Sequence, residues 1–120
     1  MLNLDTHILV ATLTDELSER ERNMISNDSL AISDIVLWEL SKLVQLGRLD
    51  LDMDSVAFRR TLRFLTILPI TLQIARKSTE LDFKSDPADE LIAATSIIER
   101  IPLLTRDRKI LGSKLIQFPT

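Results

Sequence analysis

The chain has 120 residues, 45% of them hydrophobic and 28% charged, with a formal net charge of -3; a length of this order buries about two-thirds of the surface its unfolded form exposes, so one domain over residues 1–120 is expected to fold without a disulfide or metal staple. Having no cysteine and only one histidine, His7, the chain is excluded from thiol catalysis, thiolate metal sites and multi-histidine metal sites. Its acidic balance argues against a dedicated duplex-binding protein, and the lack of cysteine fits a reducing, cytoplasmic location.

The opening stretch MLNLDTHILVATL is apolar but lacks a basic leader region and is interrupted at Asp5 and His7. It reads as neither signal peptide nor membrane span, and no later stretch approaches the roughly 18 apolar residues of a spanning helix. Leu2 to Leu4 are expected to form a short buried strand ending at Asp5, with the polar Asn3 at its centre. A helical turn over Thr6 to Leu13 and a polar helix over about Asp15 to Ile25 follow. After a turn at Asn27 to Ser29, LAIS is the second strand, and Ser33 caps a helix that Gly47 ends. SVAFRRTLRFL places Val56, Phe58, Leu62 and Leu65 inward and Arg59, Arg60 and Arg63 outward. TILPI is the third strand, and Thr71 opens a further helix. Asp86–Pro87 is a strong helix start, with Asp89 at the capping-box position, and this helix is expected to run to about Arg100. IPLLT and KLIQF are the expected fourth and fifth strands, separated by a helical segment from Asp107 to Leu111. Strands alternating with helices imply a parallel sheet covered on both faces. Neither internal repeats nor a phosphate-cradling glycine loop occur.

The helix after the second strand breaks its own pattern twice. At about 100° per residue, Ile35, Val36, Leu37, Leu40, Leu43, Val44 and Leu46 share one arc; Glu39 falls within it, while Trp38 lies among Asp34, Ser41 and Gln45 on the opposite face. A buried carboxylate costs several kcal/mol, on the order of desolvation estimates, unless it is protonated, paired or bound to a cation.

In open parallel α/β sheets, ligands bind outside the carboxyl ends of the strands, and acids recur at that edge. Asp5 follows the first strand, Asp107 lies two residues past the fourth, Asp89 is in the first turn of its helix, and Glu39 is two turns into its own. Converging carboxylates repel unless a cation neutralises them. With only oxygen ligands available, Mg²⁺ or Mn²⁺ is favoured over Zn²⁺, and a metal-bound water is a nucleophile for a phosphodiester. Each acid taken alone has a plainer reading: Asp86 as a helix cap, Asp89 as a capping-box acid, Asp5 and Asp107 as loop or cap residues. His7 reads as a helix-face residue, the arginines of FRRTLR as a solvated face, and Trp38 as either a partner contact or packing against a neighbouring helix.

Four blocks, LDTHILV, SDIVLWELSKLVQLGRLDL, DPADELIAATS and LLTRDRKIL, together resemble the PIN-domain ribonucleases, and among them the VapC-type toxins of toxin–antitoxin pairs. The resemblance implies an α/β/α sandwich around a mostly parallel sheet of about five strands, Mg²⁺- or Mn²⁺-dependent endoribonuclease activity, homodimerisation and inhibition by a cognate antitoxin. By position, the family's four acids match Asp5, Glu39, Asp89 and Asp107, expected both to ligate metal and to act in catalysis. Asp86 matches the other acid of the DPAD block, and Thr6 and Thr105 match hydroxyls that order the pocket. Arg106, Arg108 and Lys109, beside Asp107, are candidates for holding RNA phosphate, with single-stranded or looped RNA the expected substrate. Departures fall at Lys84, where many such relatives carry His, and at Glu90, where they carry Arg. The competing expectations are a PIN-like binding module with vestigial acids and a HAD-like phosphatase. The latter usually needs a second Asp where His7 stands.

Overall fold

The computed structural model describes all residues from Met1 to Thr120. Four parallel strands, β1 (Leu2–Leu4), β2 (Leu30–Ser33), β3 (Leu65–Leu68) and β4 (Leu103–Leu104), form a sheet in the order β3-β2-β1-β4. Leu2 aligns with Leu30, Asn3 with Leu103, and Leu30 with Leu65. Around the sheet stand α1 (Thr6–Leu13), α2 (Glu19–Ser26), α3 (Ile35–Gln45), α4 (Val56–Arg63), α5 (Leu72–Lys77), α6 (Pro87–Glu99) and α7 (Arg108–Leu111). This is an α/β/α sandwich. All three residues of β1 are buried, as a strand covered on both faces requires.

The chain runs outward from β1 through β2 to β3, then returns to place β4 on the other side of β1. The carboxyl ends of β1 and β4 therefore flank the topological switch point, where such sheets open a crevice. Leu2, Leu4, Ile8, Ile32, Val36, Leu40, Ile92 and Leu103 fill the core on either side of the sheet.

Local chemistry accounts for the boundaries that differ from expectation. The polar helix begins at Glu19, not near Asp15, because Asp15 takes a left-handed backbone (φ 56°). Ser18 then caps α2 in a capping box with Glu21, whose carboxylate accepts the Ser18 N–H. Ser33 is still strand: Asp34 occupies the cap position of α3, and the Ser33 hydroxyl accepts a long bond from the Ile35 N–H. Gly47 (φ 71°) takes the left-handed turn just past the end of α3, as expected of a glycine there. Leu65 belongs to β3 rather than to the preceding helix, and Val56, expected inward, is exposed.

The expected fifth strand over KLIQF is absent. Its only backbone link to the sheet is the Leu103 N–H bond to the Gln117 carbonyl. Upstream, the Ser113 hydroxyl and the Lys114 N–H both donate to Asp82, which holds the chain in a turn, and Pro119 follows the segment. A ladder cannot propagate in either direction.

Candidate active site

Asp5 leaves β1 and caps α1, one carboxylate oxygen accepting the Thr6 N–H at 2.8 Å. The other accepts the Thr105 hydroxyl at 2.6 Å. Asp5 is almost wholly buried, and its backbone N–H donates to the Leu104 carbonyl. The Thr105 oxygen in turn accepts the Asp107 N–H at 3.0 Å, so one hydroxyl links the acid after β1 to the acid after β4. Asp107 caps α7, accepting from the Lys109 N–H.

Glu39 reaches this edge from α3. Its Oε1 accepts a short hydrogen bond from the Thr6 hydroxyl. Asp89 arrives from the first turn of α6, its Oδ2 accepting the Ser85 hydroxyl at 3.0 Å. Asp86 is exposed and occupies the cap position of α6 without a side-chain capping bond. Neither acid of the DPAD block therefore does the capping work that its spacing suggested.

The electrostatics show the acids to be neighbours. Burial pushes the Glu39 carboxyl above the usual range; the Thr6 bond opposes this, and the charges of Asp89, Asp5 and Asp86 add to the rise. Asp89 is raised for the same reason, burial first, opposed by Ser85 and reinforced by Asp5, Asp107 and Asp86. Five carboxylates thus share one field with no cation among their bonded partners. All the donors are oxygens, which suits a hard divalent ion. No three acidic side chains, however, already stand as a finished ligand group; the donor set fits in chemistry, with water completing any coordination.

Arg106, expected as a phosphate contact, has its guanidinium bonded within the chain. Its guanidinium grips Glu21 with two bonds of 2.7 and 2.8 Å and also donates to the Glu16 carbonyl. This pairing holds the Glu21 carboxyl down at about 2. Arg108 and Lys109 are exposed beside Asp107. Trp38 is 54% exposed, with the Lys42 ammonium 5.9 Å from its ring centroid, rather than enclosed against another helix.

Two residues at the site escaped the sequence reading. Ser85 holds Asp89, and nothing in its spacing marks it. His7, read as a helix-face residue, places Nδ1 3.7 Å from Asp5 Oδ2 while Nε2 accepts the Arg106 N–H at 2.9 Å. Its position two residues after Asp5 on the first turn of a helix was the available signal. Of the two departures, Lys84 is exposed, and Glu90 accepts a long bond from the Ser85 N–H.

A parallel sheet opening at β1 and β4, with acids at that opening, defines the class of protein. The PIN domain family model matches residues 3–112, and the chain belongs to that family, whose members are generally nucleases. Solved structures share the fold. A toxin–antitoxin complex from Klebsiella pneumoniae superposes with a TM-score of 0.76 at 22% identity, covering 100% of this chain and 98% of that one. FitAcB from Neisseria gonorrhoeae gives 0.70 at 20% identity over 99% and 97%. VapBC2 from Rickettsia felis, bound to a DNA fragment from its promoter, gives 0.69 at 22% identity over 99% and 98%. No curated protein matches the chain in sequence. No helix is long and apolar enough to cross a membrane.

Proposed function

We propose that this chain is a divalent-metal-dependent endoribonuclease, the toxin of a toxin–antitoxin pair, and that Asp5, Glu39, Asp89 and Asp107 hold one or more Mg²⁺ or Mn²⁺ ions. The observation that carries the reading is the convergence of these acids with Asp86 at one edge, where burial first, and then the charges of the neighbouring acids, lift Glu39 and Asp89 above their ordinary range. When bound, a hard divalent ion supplies charge for the scissile phosphate and lowers the pKa of water.

The chain's own groups prepare that site. Thr105 and the Thr6 N–H hold both Asp5 oxygens, fixing the carboxylate plane. Thr6 and Ser85 each hold one oxygen of Glu39 and Asp89, respectively, leaving the other without a side-chain donor. Arg108 and Lys109 sit at the rim as RNA phosphate contacts, whereas Arg106 is engaged with Glu21 and is assigned a structural role. Single-stranded or looped RNA suits an open site into which bases can be splayed. The toxin–antitoxin setting draws support from the neighbours' fold, and an antitoxin with a basic side chain would complement the acidic edge. Trp38 is a candidate contact for that partner or for a second copy in a homodimer.

A PIN-like binding module that has lost catalysis is the second reading, favoured by the absence of a finished three-acid ligand group. Incubating the purified chain with single-stranded RNA and Mn²⁺ or Mg²⁺ separates the two. Cleavage that stops with chelator and with Asp5→Asn is expected. Equal cleavage by Asp5→Asn, or none by the wild-type chain, would remove the nuclease reading.

A further inference from the structure

Asn3 is fully buried at the centre of β1, between Leu2 and Leu4. Its Nδ2 donates to two acceptors on α6, the Ser96 hydroxyl at 2.9 Å and the Ile92 carbonyl at 3.3 Å. Its Oδ1 is buried with no partner. A buried carboxamide with an unpaired oxygen is a poor choice for stability, since an apolar side chain of similar shape avoids the desolvation cost altogether. The choice needs another reason.

The location supplies one. Asn3 stands two residues before Asp5, and its acceptors stand three and seven residues after Asp89. Two residues of strand, two hydrogen bonds and one helical turn thus connect the two acids. Ile92 and Ser96, four apart, lie on the same face of α6, so bonds to both fix the helix in rotation as well as in height. The middle of α6 is built from Ala93, Ala94, Thr95 and Ser96, all buried, and small side chains form shallow ridges that set register weakly. Turning α6 by a single residue would swing Asp89 about 100° and slide it about 1.5 Å.

We propose that Asn3 is a positioning residue, which sets the rotation of α6 on β1 so that Asp89 is presented to Asp5. The inference rests on the reading that these acids share a cation. Residues that orient metal ligands without touching the ion act in this manner, and their loss typically weakens the site about 10- to 100-fold.

Asn3→Leu removes both donors and the unpartnered oxygen together. In the cation-free chain it should leave the melting temperature unchanged or raise it. It should weaken Mn²⁺ binding by about tenfold and lower kcat for RNA with KM unchanged. A purely structural Asn3 gives the opposite pattern, a lower melting temperature with Mn²⁺ affinity intact. Ser96→Ala, a smaller lesion that keeps a good helix former, should shift Mn²⁺ affinity in the same direction by roughly threefold. The double variant should be no weaker than Asn3→Leu, because the two residues form one link. Should Asn3→Leu not fold, Ser96→Ala carries the test alone. Affinities within about 1.5-fold of wild type in every folded variant would overturn the inference and leave the nuclease reading standing. A wild-type chain that binds Mn²⁺ no better than Asp5→Asn would instead remove the nuclease reading, and this inference with it.

Discussion

Glu21 and the four acids at the carboxyl ends of β1 and β4 are treated in opposite ways. Glu21 is given a cation: Arg106 holds it in a two-bond ion pair and keeps it ionised down to about pH 2. At the edge formed by β1 and β4, Asp5, Glu39, Asp89 and Asp107 are given hydroxyl and backbone N–H donors and one another, and Glu39 and Asp89 are raised instead. The arginine that neutralises Glu21 is the immediate neighbour of Asp107. Its guanidinium is turned away to Glu21, and its backbone N–H goes to His7. Folding therefore leaves the four acids without this guanidinium, although it stands one residue from Asp107 along the chain. Such an arrangement is costly unless a cation arrives from solution.

The largest effect expected from breaking this contrast is Asp5→Asn, which should lower RNA cleavage by about 100-fold or more in a Mn²⁺ assay. Glu39→Gln should lower cleavage by roughly 10- to 100-fold while the chain stays folded. Without divalent ions it should melt higher than wild type at neutral pH. The sign follows from linkage: a raised folded pKa means that the folded chain binds the proton more tightly, so stability falls as pH rises through that pKa. The advantage of Glu39→Gln should therefore shrink on acidification and vanish where the wild-type carboxyl is protonated in both states.

Glu21→Gln should act in the reverse sense, destabilising the chain by about 1–3 kcal/mol at neutral pH while leaving divalent-ion binding intact. Its folded pKa of about 2 lies below the ordinary 4.5. The lost stability should be present in full above that ordinary value and disappear as pH falls toward 2, as read by urea titrations across pH. The smallest effect belongs to Trp38→Ala, which should change stability by no more than about 0.5 kcal/mol because the ring is largely exposed. Its consequence should instead be read by calorimetry as weakened affinity for a partner.

Much of this organisation was legible in the sequence because it rests on local signals. The alternation of short apolar runs with amphipathic helices, Gly47 after α3 and Asp86–Pro87 before α6 each act within a few residues, and the structure follows them. Glu39 stood out because it interrupts an apolar arc, and it reaches the edge where Asp5 lies. What could not be read depends on distant partners. Nothing near Arg106 indicates that Glu21 would take its guanidinium, 85 residues away in sequence. KLIQF has the composition of a strand, but the turn held by Asp82 keeps it from pairing. Asn3 looked out of place in a buried strand because its acceptors lie on a helix some 90 residues later.

The contrast between the paired and unpaired acids reduces to one measurement, the melting temperature of the chain with and without saturating Mn²⁺. A ligand that binds only the folded state stabilises it, by about 2.7 kcal/mol at a concentration 100 times its dissociation constant. The expected result is a clear rise for the wild-type chain, retained by Glu21→Gln and lost by Asp5→Asn. No rise in the wild-type chain, or the same rise in Asp5→Asn, would contradict the claim that these acids are held apart from arginine to receive a cation.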